Sequence, residues 1–382
     1  MLAKRVLLAA SAFIMISFSA SIHAGERWPD LPVPVKNGAG AKIGNTLYVG
    51  LGSAGKAWYS LDLATPGAQW TMLAEFPDAP RDAATTAAVN GQIYVFAGAG
   101  KLDPSDKTVL MFDTGYKYDP AANSWSKLPT RTPLGALASA AVSFDQQNIL
   151  FFGGVNKQVF DGFFIDNAAA GDDEDKQAAV ASAYFDQRPQ DYFFTSQVMS
   201  YNVANNQWAQ LGIDPNWPIV GAGVAVKAKE LVLVGGEVKP GLRSPMAKFV
   251  TVSGNKLSWK TSTLTPAPGD QAQEGVAGAF AGYSGKALLV AGGTNFPGAW
   301  KQFNAGQNWA HKGLKKTWRD EIYAELNGQW QVAGKLPMAL GYGNYFQLDQ
   351  GLLIVGGELQ DGAPSKAVFE LRWNGKSVDI IR

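Results

Sequence analysis

Short apolar runs closing on Gly-Gly-like pairs recur six times along the chain: Leu47-Tyr-Val-Gly-Leu-Gly, Ile93-Tyr-Val-Phe-Ala-Gly, Ile149-Leu-Phe-Phe-Gly-Gly, Leu231-Val-Leu-Val-Gly-Gly, Leu288-Leu-Val-Ala-Gly-Gly and Leu352-Leu-Ile-Val-Gly-Gly. Each sits in a longer unit whose parts keep one order. In the second unit, a stretch of small and β-branched residues (83–89) meets a tight turn at Asn90-Gly91. The apolar run follows, then an insert, the aromatic segment Gly115-Tyr-Lys-Tyr-Asp119 and a last segment carrying Trp125. This reads as a four-stranded antiparallel meander. The second strand shows no polar alternation, which predicts burial on both faces.

The spacing separates fixed connections from variable ones. From the late Trp of one unit to the next apolar run the distances are 23, 24, 23, 29 and 22 residues; from the run to its own late Trp they are 23, 32, 59, 28 and 42. Insertions therefore concentrate just after the glycine pair, between second and third strands. In the sixth unit Val378 stands where the late Trp would be. Repetition on this scale predicts an all-β, six-bladed β-propeller with four antiparallel strands per blade. Gly pair, aromatic third strand and Trp in the fourth resemble the kelch repeat over 37–382. A β-helix has a shorter, more regular period, and a sandwich would not repeat six times. The segment Trp28-Pro-Asp-Leu31-Pro32 looks like the end of a fourth strand, placing it beside the C-terminus in the last blade. First-to-second turns are short, so one face of the disc is plain. The opposite face receives the inserts, including 156–197 and 294–320, and the links between blades, such as Ala79-Pro80-Arg81-Asp82. Functional groups ride on loops held by a rigid scaffold, so that face is the place to search.

At the start, Lys4-Arg5, an apolar stretch over 6–18 and the small-residue exit Ser19-Ala-Ser-Ile-His-Ala24 read as a signal peptide over 1–24. Cleavage after Ala24 leaves one propeller domain, 25–382, exported to the periplasm; the apolar core is too short to span a bilayer. The chain has no Cys, and removing Lys4 and Arg5 takes Lys+Arg from 33 to 31 against 32 acids. A near-neutral surface offers no attraction for nucleic acid or anionic lipid. With His23 removed, His311 is the only histidine left, so a copper or zinc site is not supported and the chemistry demands no metal or cofactor. No Gly-x-Ser-x-Gly elbow and no Ser-x-Asp-x-Gly-x-x-Trp signature is present.

Carboxylate, guanidinium and tyrosine chemistry remain. Gly235-Gly236-Glu237-Val238-Lys239-Pro240-Gly241-Leu242-Arg243 puts an acid at a strand exit, a turn, and an arginine that returns toward the same place. A buried Glu can serve as a base and an Arg can fork onto a substrate carboxylate. The competing reading is an ion pair across the loop itself, and Glu358 follows a Gly pair in the same way.

The phrases Leu51-Gly-Ser-Ala-Gly-Lys-Ala-Trp-Tyr59, Gly153-Gly-Val-Asn156, Ala183-Tyr-Phe-Asp186, Asp191-Tyr-Phe-Phe194, Gly236-Glu-Val-Lys-Pro-Gly-Leu-Arg243, Gly275-Val-Ala-Gly278 and Ala310-His-Lys-Gly-Leu-Lys-Lys316 together resemble the bacterial N-acetylneuraminate epimerase family of periplasmic sialic acid mutarotases. The resemblance implies interconversion of the α and β anomers of N-acetylneuraminate, with Glu237 and Arg243 as the catalytic pair. On that reading Glu237 is the base and Arg243 holds the substrate carboxylate. Arg81, Asn156, Tyr184 and Tyr192 shape the pocket, and the 156–197 insert is either a lid or a plain surface loop. Val238, and Gln273-Glu274 before Gly275, depart from the usual pattern. Two alternatives stand beside it: a sialic acid or oligosaccharide binding propeller without catalysis, and a protein-interaction scaffold.

Overall fold

A computed structural model describes residues 28–382; the expected signal peptide lies outside the described residues. Six antiparallel sheets follow one another along the chain, each a four-stranded blade of a six-bladed β-propeller, the first strand of the sixth being split into Leu340–Gly341 and Asn344–Gln347. The second strands (Thr46–Gly50, Gln92–Phe96, Asn148–Phe152, Glu230–Val234, Ala287–Ala291 and Leu352–Leu359) are buried nearly throughout. Their side chains alternate between two neighbours: Leu231 and Leu233 pack with blade 3, and Val232 and Val234 with blade 5. Six apolar clusters result, one per blade interface, and the cluster joining blade 6 to blade 1 closes the ring. The recurring tryptophans fasten successive blades: Trp125 donates to the Ala74 carbonyl, Trp208 to Thr130 and Trp330 to Ser262, each at 2.9–3.0 Å.

The two ends of the described residues meet on the third strand of blade 6, Pro364–Trp373. Leu31 and Val35 donate to the carbonyls of Lys366 and Ser365, while Val378–Ile381 pairs with the outer part of the same strand. The expected placement of Trp28–Pro32 beside the C-terminus thus holds, with the two ends sharing one strand edge.

Around the axis the backbone makes a second closure. Asn37, Ala83, Ala138, Gly221, Gly278 and Tyr342, one before each blade's first strand, all have φ between 50° and 66°. Each N–H donates to the carbonyl of its predecessor in the ring, and Asn37 donates to Tyr342, at 2.8–3.1 Å. One residue outward, the position after each glycine pair holds Ser53, Ala99, Val155, Glu237, Thr294 and Glu358, each joined to the adjoining link between blades. The glycines are needed there: at Gly235 φ is 69° and a β-carbon would overlap the Val276 carbonyl. Those six side chains circle the mouth of the channel on the decorated face.

The inserts fall between second and third strands as the spacing predicts. That of blade 3 is a helical hairpin, α1 (Lys157–Ala170) and α2 (Glu174–Phe185), where the sequence predicts a lid or a plain surface loop. Its signals were local: Asn156 and Asp173 cap the two helices through their side chains, and acids occupy the first turn of α2. The insert of blade 5 carries a short helix, α3 (Ala299–Asn304).

Candidate active site

Glu237 and Arg243 face each other across a two-stranded hairpin, Glu237–Lys239 with Leu242–Arg243, at the channel mouth. The turn at Gly241 is forced by its surroundings, since a β-carbon there would overlap the His311 ring. The Arg243 side chain is 4% exposed and donates through Nη1 to Glu237 Oε1, whose side chain is 24% exposed. Burial pulls the guanidinium's pKa down, and the neighbouring Tyr342 works the other way. The Arg243 backbone carbonyl receives Trp300 Nε1 at 2.8 Å, and the guanidinium lies 5.4 Å from the Phe296 ring centre. The pair across the loop is therefore real, and it lies where a substrate reaching the axis would meet the open side of the carboxylate.

Other polar groups complete the mouth on this side. Tyr342 Oη lies 2.9 Å from Thr294 Oγ1, and Lys316 Nζ sits 4.8 Å from the Tyr342 ring centre. Glu358 accepts from Lys316 at 2.6 Å and Lys36 at 2.9 Å. Burial acts to raise its pKa, but the two lysines outweigh it and hold the carboxyl below its usual range. On the opposite side, burial pushes Asp82 up, with Lys36 opposing.

Lys239 binds the surroundings together. Its fully buried ammonium donates to the carbonyls of Phe185 and Gln187 at the end of α2, at 3.0 and 2.5 Å, and to that of Asn308 in the blade 5 insert. Burial lowers it to about 8, with Asp186 opposing. His311 is wedged among Phe185, Phe296 and Trp309. Burial drives its pKa to about 4, helped by Arg243 and Lys239, so it is neutral at pH 7.

The residues expected to shape the pocket divide differently. Tyr184 and Tyr192 come together: the Tyr192 hydroxyl donates to the Tyr184 carbonyl at 2.5 Å, Tyr184 stacks on Phe163, and Lys239 lies 5.2 Å from the Tyr192 ring centre. They form the root of the helical insert. Asn156 caps α1, accepting from the Val159 N–H at 3.1 Å. Arg81 is 1% exposed, with its guanidinium bonded to Asp78 and the Ala97 carbonyl and flanked by Phe76 and Phe112. Glu274, in the departing phrase, accepts from the N–H groups of Gly298 and Trp300 and so caps α3. Thr294, Tyr342, Lys316 and Lys36 were missed. Aligning the six units on their glycine pairs would have exposed Thr294, and a Tyr among the small residues of the inner ring would have exposed Tyr342.

From the mouth a cavity of about 960 Å³ extends over blades 1 and 2, touching Asp82, Ala83 and Ala99 near the axis and Lys56, Lys101, Leu102 and Phe160 farther out. A cavity of this size can enclose a monosaccharide.

The family profile described as N-acetylneuraminate epimerase matches residues 28–380. The chain belongs to the N-acetylneuraminate epimerase family. It is 46% identical to the N-acetylneuraminate epimerase of Yersinia enterocolitica, over 99% of this chain and 97% of that one. It is 44% identical to that of Brucella melitensis, over 99% and 98%, and 42% identical to that of Haemophilus influenzae, over 98% of each. A solved structure titled "Structure of YjhT" superposes with a TM-score of 0.87 at 37% identity, covering 93% of this chain and 99% of that one. The family expectation drawn from the loop phrases therefore holds, and for these relatives the name states epimerisation of a sugar acid.

Proposed function

We propose that this protein interconverts the α and β anomers of N-acetylneuraminate by acid/base-catalysed opening and closing of the sugar ring. The observation that carries the reading is the Glu237–Arg243 pair. A partly exposed carboxylate is held at the inner ring by a buried guanidinium, and a cavity of monosaccharide size, lined by neither residue, opens across the ring over blades 1 and 2. Mutarotation needs a base at the anomeric hydroxyl and an acid at the ring oxygen, and Glu237 is the base. Because Arg243 already has an internal carboxylate partner, its role is to orient Glu237, and Lys56 and Lys101, which line the cavity, are better placed to meet the substrate's own carboxylate. The names of the relatives support the same substrate.

We further propose that the protein works in the periplasm after losing residues 1–24. The charged start, short apolar core and small-residue exit support this. Intact-mass analysis of the periplasmic fraction should find a chain beginning at Gly25; a full-length chain in the membrane fraction would overturn it. For the activity, NMR of freshly released α-N-acetylneuraminate should show a faster approach to the anomeric equilibrium. Saturable binding with an unchanged rate would instead favour the binding propeller.

A further inference from the structure

We propose that the Tyr342 phenol is the acid that serves the ring oxygen, working with Glu237 from the two sides of the Arg243 guanidinium; the inference rests on the mutarotase reading above.

The case begins with the backbone. Gly221 and Gly278 accept a positive φ freely and Asn37 readily, and Ala83 and Ala138 present only a methyl; the sixth inner-ring residue is Tyr342, at φ 54°. An aromatic residue in that conformation is uncommon and persists only where its surroundings hold it. Here they do. The neighbouring ring residue must be glycine, because a β-carbon at Gly278 would overlap the Tyr342 ring. The ring hydrogen bonds on either side, Tyr342 to Gly278 and Asn37 to Tyr342, both measure 2.8 Å. The fold thus gives up small-residue symmetry at one point and places a phenol there.

The hydroxyl is then aimed by its partners. It faces the charge of Arg243, and a guanidinium can only donate. The phenolic proton is therefore left for another acceptor, with Thr294 Oγ1 at 2.9 Å as the resting partner. Since Arg243 donates to Glu237 and faces the Tyr342 hydroxyl, one planar group lies between a carboxylate and a phenol. The two oxygens that exchange protons in mutarotation are bonded to a single carbon, so acid and base must stand close together, and the shared fork provides that spacing.

Asp82 lies across the ring over the cavity, and the acids on the Arg243 side are engaged elsewhere. Both Glu358 oxygens accept from lysines, Glu274 caps α3, and His311 is neutral and wedged behind the Gly241 turn.

In the opening step Glu237 removes the proton of the anomeric hydroxyl, and that O–H pair becomes the second bond of the carbonyl. The bond from the anomeric carbon to the ring oxygen breaks with its electrons on oxygen, which takes the Tyr342 proton. Arg243 and Lys316 hold the phenolate that remains. After the carbonyl turns its other face, the chain hydroxyl attacks and returns its proton to the phenolate, and the carbonyl oxygen recovers a proton from Glu237. Nothing is consumed.

Tyr342→Phe keeps the ring, the backbone and the contact with Lys316, and removes only the hydroxyl. Anomer exchange by NMR should show kcat reduced about 10²–10⁴-fold, with substrate affinity by titration within about threefold of the parent and unchanged melting. Ring-fluorinated tyrosines placed at position 342 alone should change kcat in graded fashion with the number of fluorines, which a packing role would not produce. A folded Tyr342→Phe protein exchanging at the parental rate, or no dependence on fluorination, overturns the proposal. If Glu237→Gln abolishes exchange while Tyr342→Phe does not, the mutarotase reading stands and the Tyr342 assignment falls. If the parent does not accelerate exchange, it is the activity that fails.

Discussion

Ser53, Ala99 and Val155 on one side of the channel mouth, and Glu237, Thr294 and Glu358 on the other, occupy one backbone position repeated in six blades. In every blade that position is fixed by pairing with the link to the neighbouring blade. The backbone carries that pairing, so the side chain can differ from blade to blade, with Ser53 adding bonds of its own to Lys36 and Pro34. Blades 1 to 3 leave it small or apolar and open a cavity beside it. Blades 4 to 6 fill it with acids and a hydroxyl, each bonded to Arg243, Tyr342 or a lysine. A symmetric scaffold thus supports an asymmetric site, and the chemistry lies in the departures from the repeat.

The strongest test of this division is Glu237→Gln, which keeps size and hydrogen-bonding reach but removes the base. Exchange should fall about 10²–10⁴-fold with binding retained. NMR exchange beside a binding titration measures both, and a parental rate in a folded variant would move the base to another residue. Arg243→Lys should lower the rate as well, since a point charge cannot hold Glu237 and Tyr342 together as a planar fork does.

The same contrast explains what the sequence discloses. Blade number, insert positions and the placement of the N-terminal segment are legible because they repeat or follow from closing a ring. The Glu237–Arg243 pair is legible because both residues lie on one hairpin. Lys36 and Glu358, 322 residues apart, meet only because the ring closes. The three carbonyls that hold Lys239 belong to two separate inserts, and backbone acceptors leave no mark in composition. Arg81 and Tyr192 fitted the polar and aromatic profile of a sugar site, yet the structure uses both for packing, which residue type alone does not reveal.

The reactive half also depends on its cover. Lys239→Met keeps the bulk of the stem but leaves three carbonyls without their donor, and should cost about 2 kcal/mol. Hydrogen exchange should rise selectively in α2 and the segment after it, and the substrate concentration for half-saturation should increase. Unchanged exchange and saturation would mean that the insert is held without this pin and that substrate capture does not depend on its docking.

His311 links that cover to pH. Its folded pKa of about 4 lies below the ordinary 6.5, so between these values the unfolded chain binds the proton that the folded chain refuses. The associated stability is complete above about 6.5 and is lost as pH falls toward 4. After allowance for partial solvent screening it is worth about 1–2 kcal/mol. His311→Gln should flatten this part of the melting-temperature profile relative to the parent. Parallel profiles across that window would show that His311 titrates normally and is not held neutral behind the hairpin.

The finest test exchanges one pair of near-isosteric residues across the mouth. Thr294→Val removes the hydroxyl 2.9 Å from Tyr342 and should slow exchange about fivefold, the effect of one lost hydrogen bond of ordinary strength. Val155→Thr adds a hydroxyl at the equivalent place in blade 3, and should change the rate less than about twofold because no reactive group lies beside it. Measured under the same conditions, the two substitutions make opposite exchanges of hydroxyl and methyl at equivalent positions in the two halves of the ring. Equal effects would mean that the substrate is handled by both halves of the mouth, and the division into a reactive half and a receiving cavity would have to be abandoned.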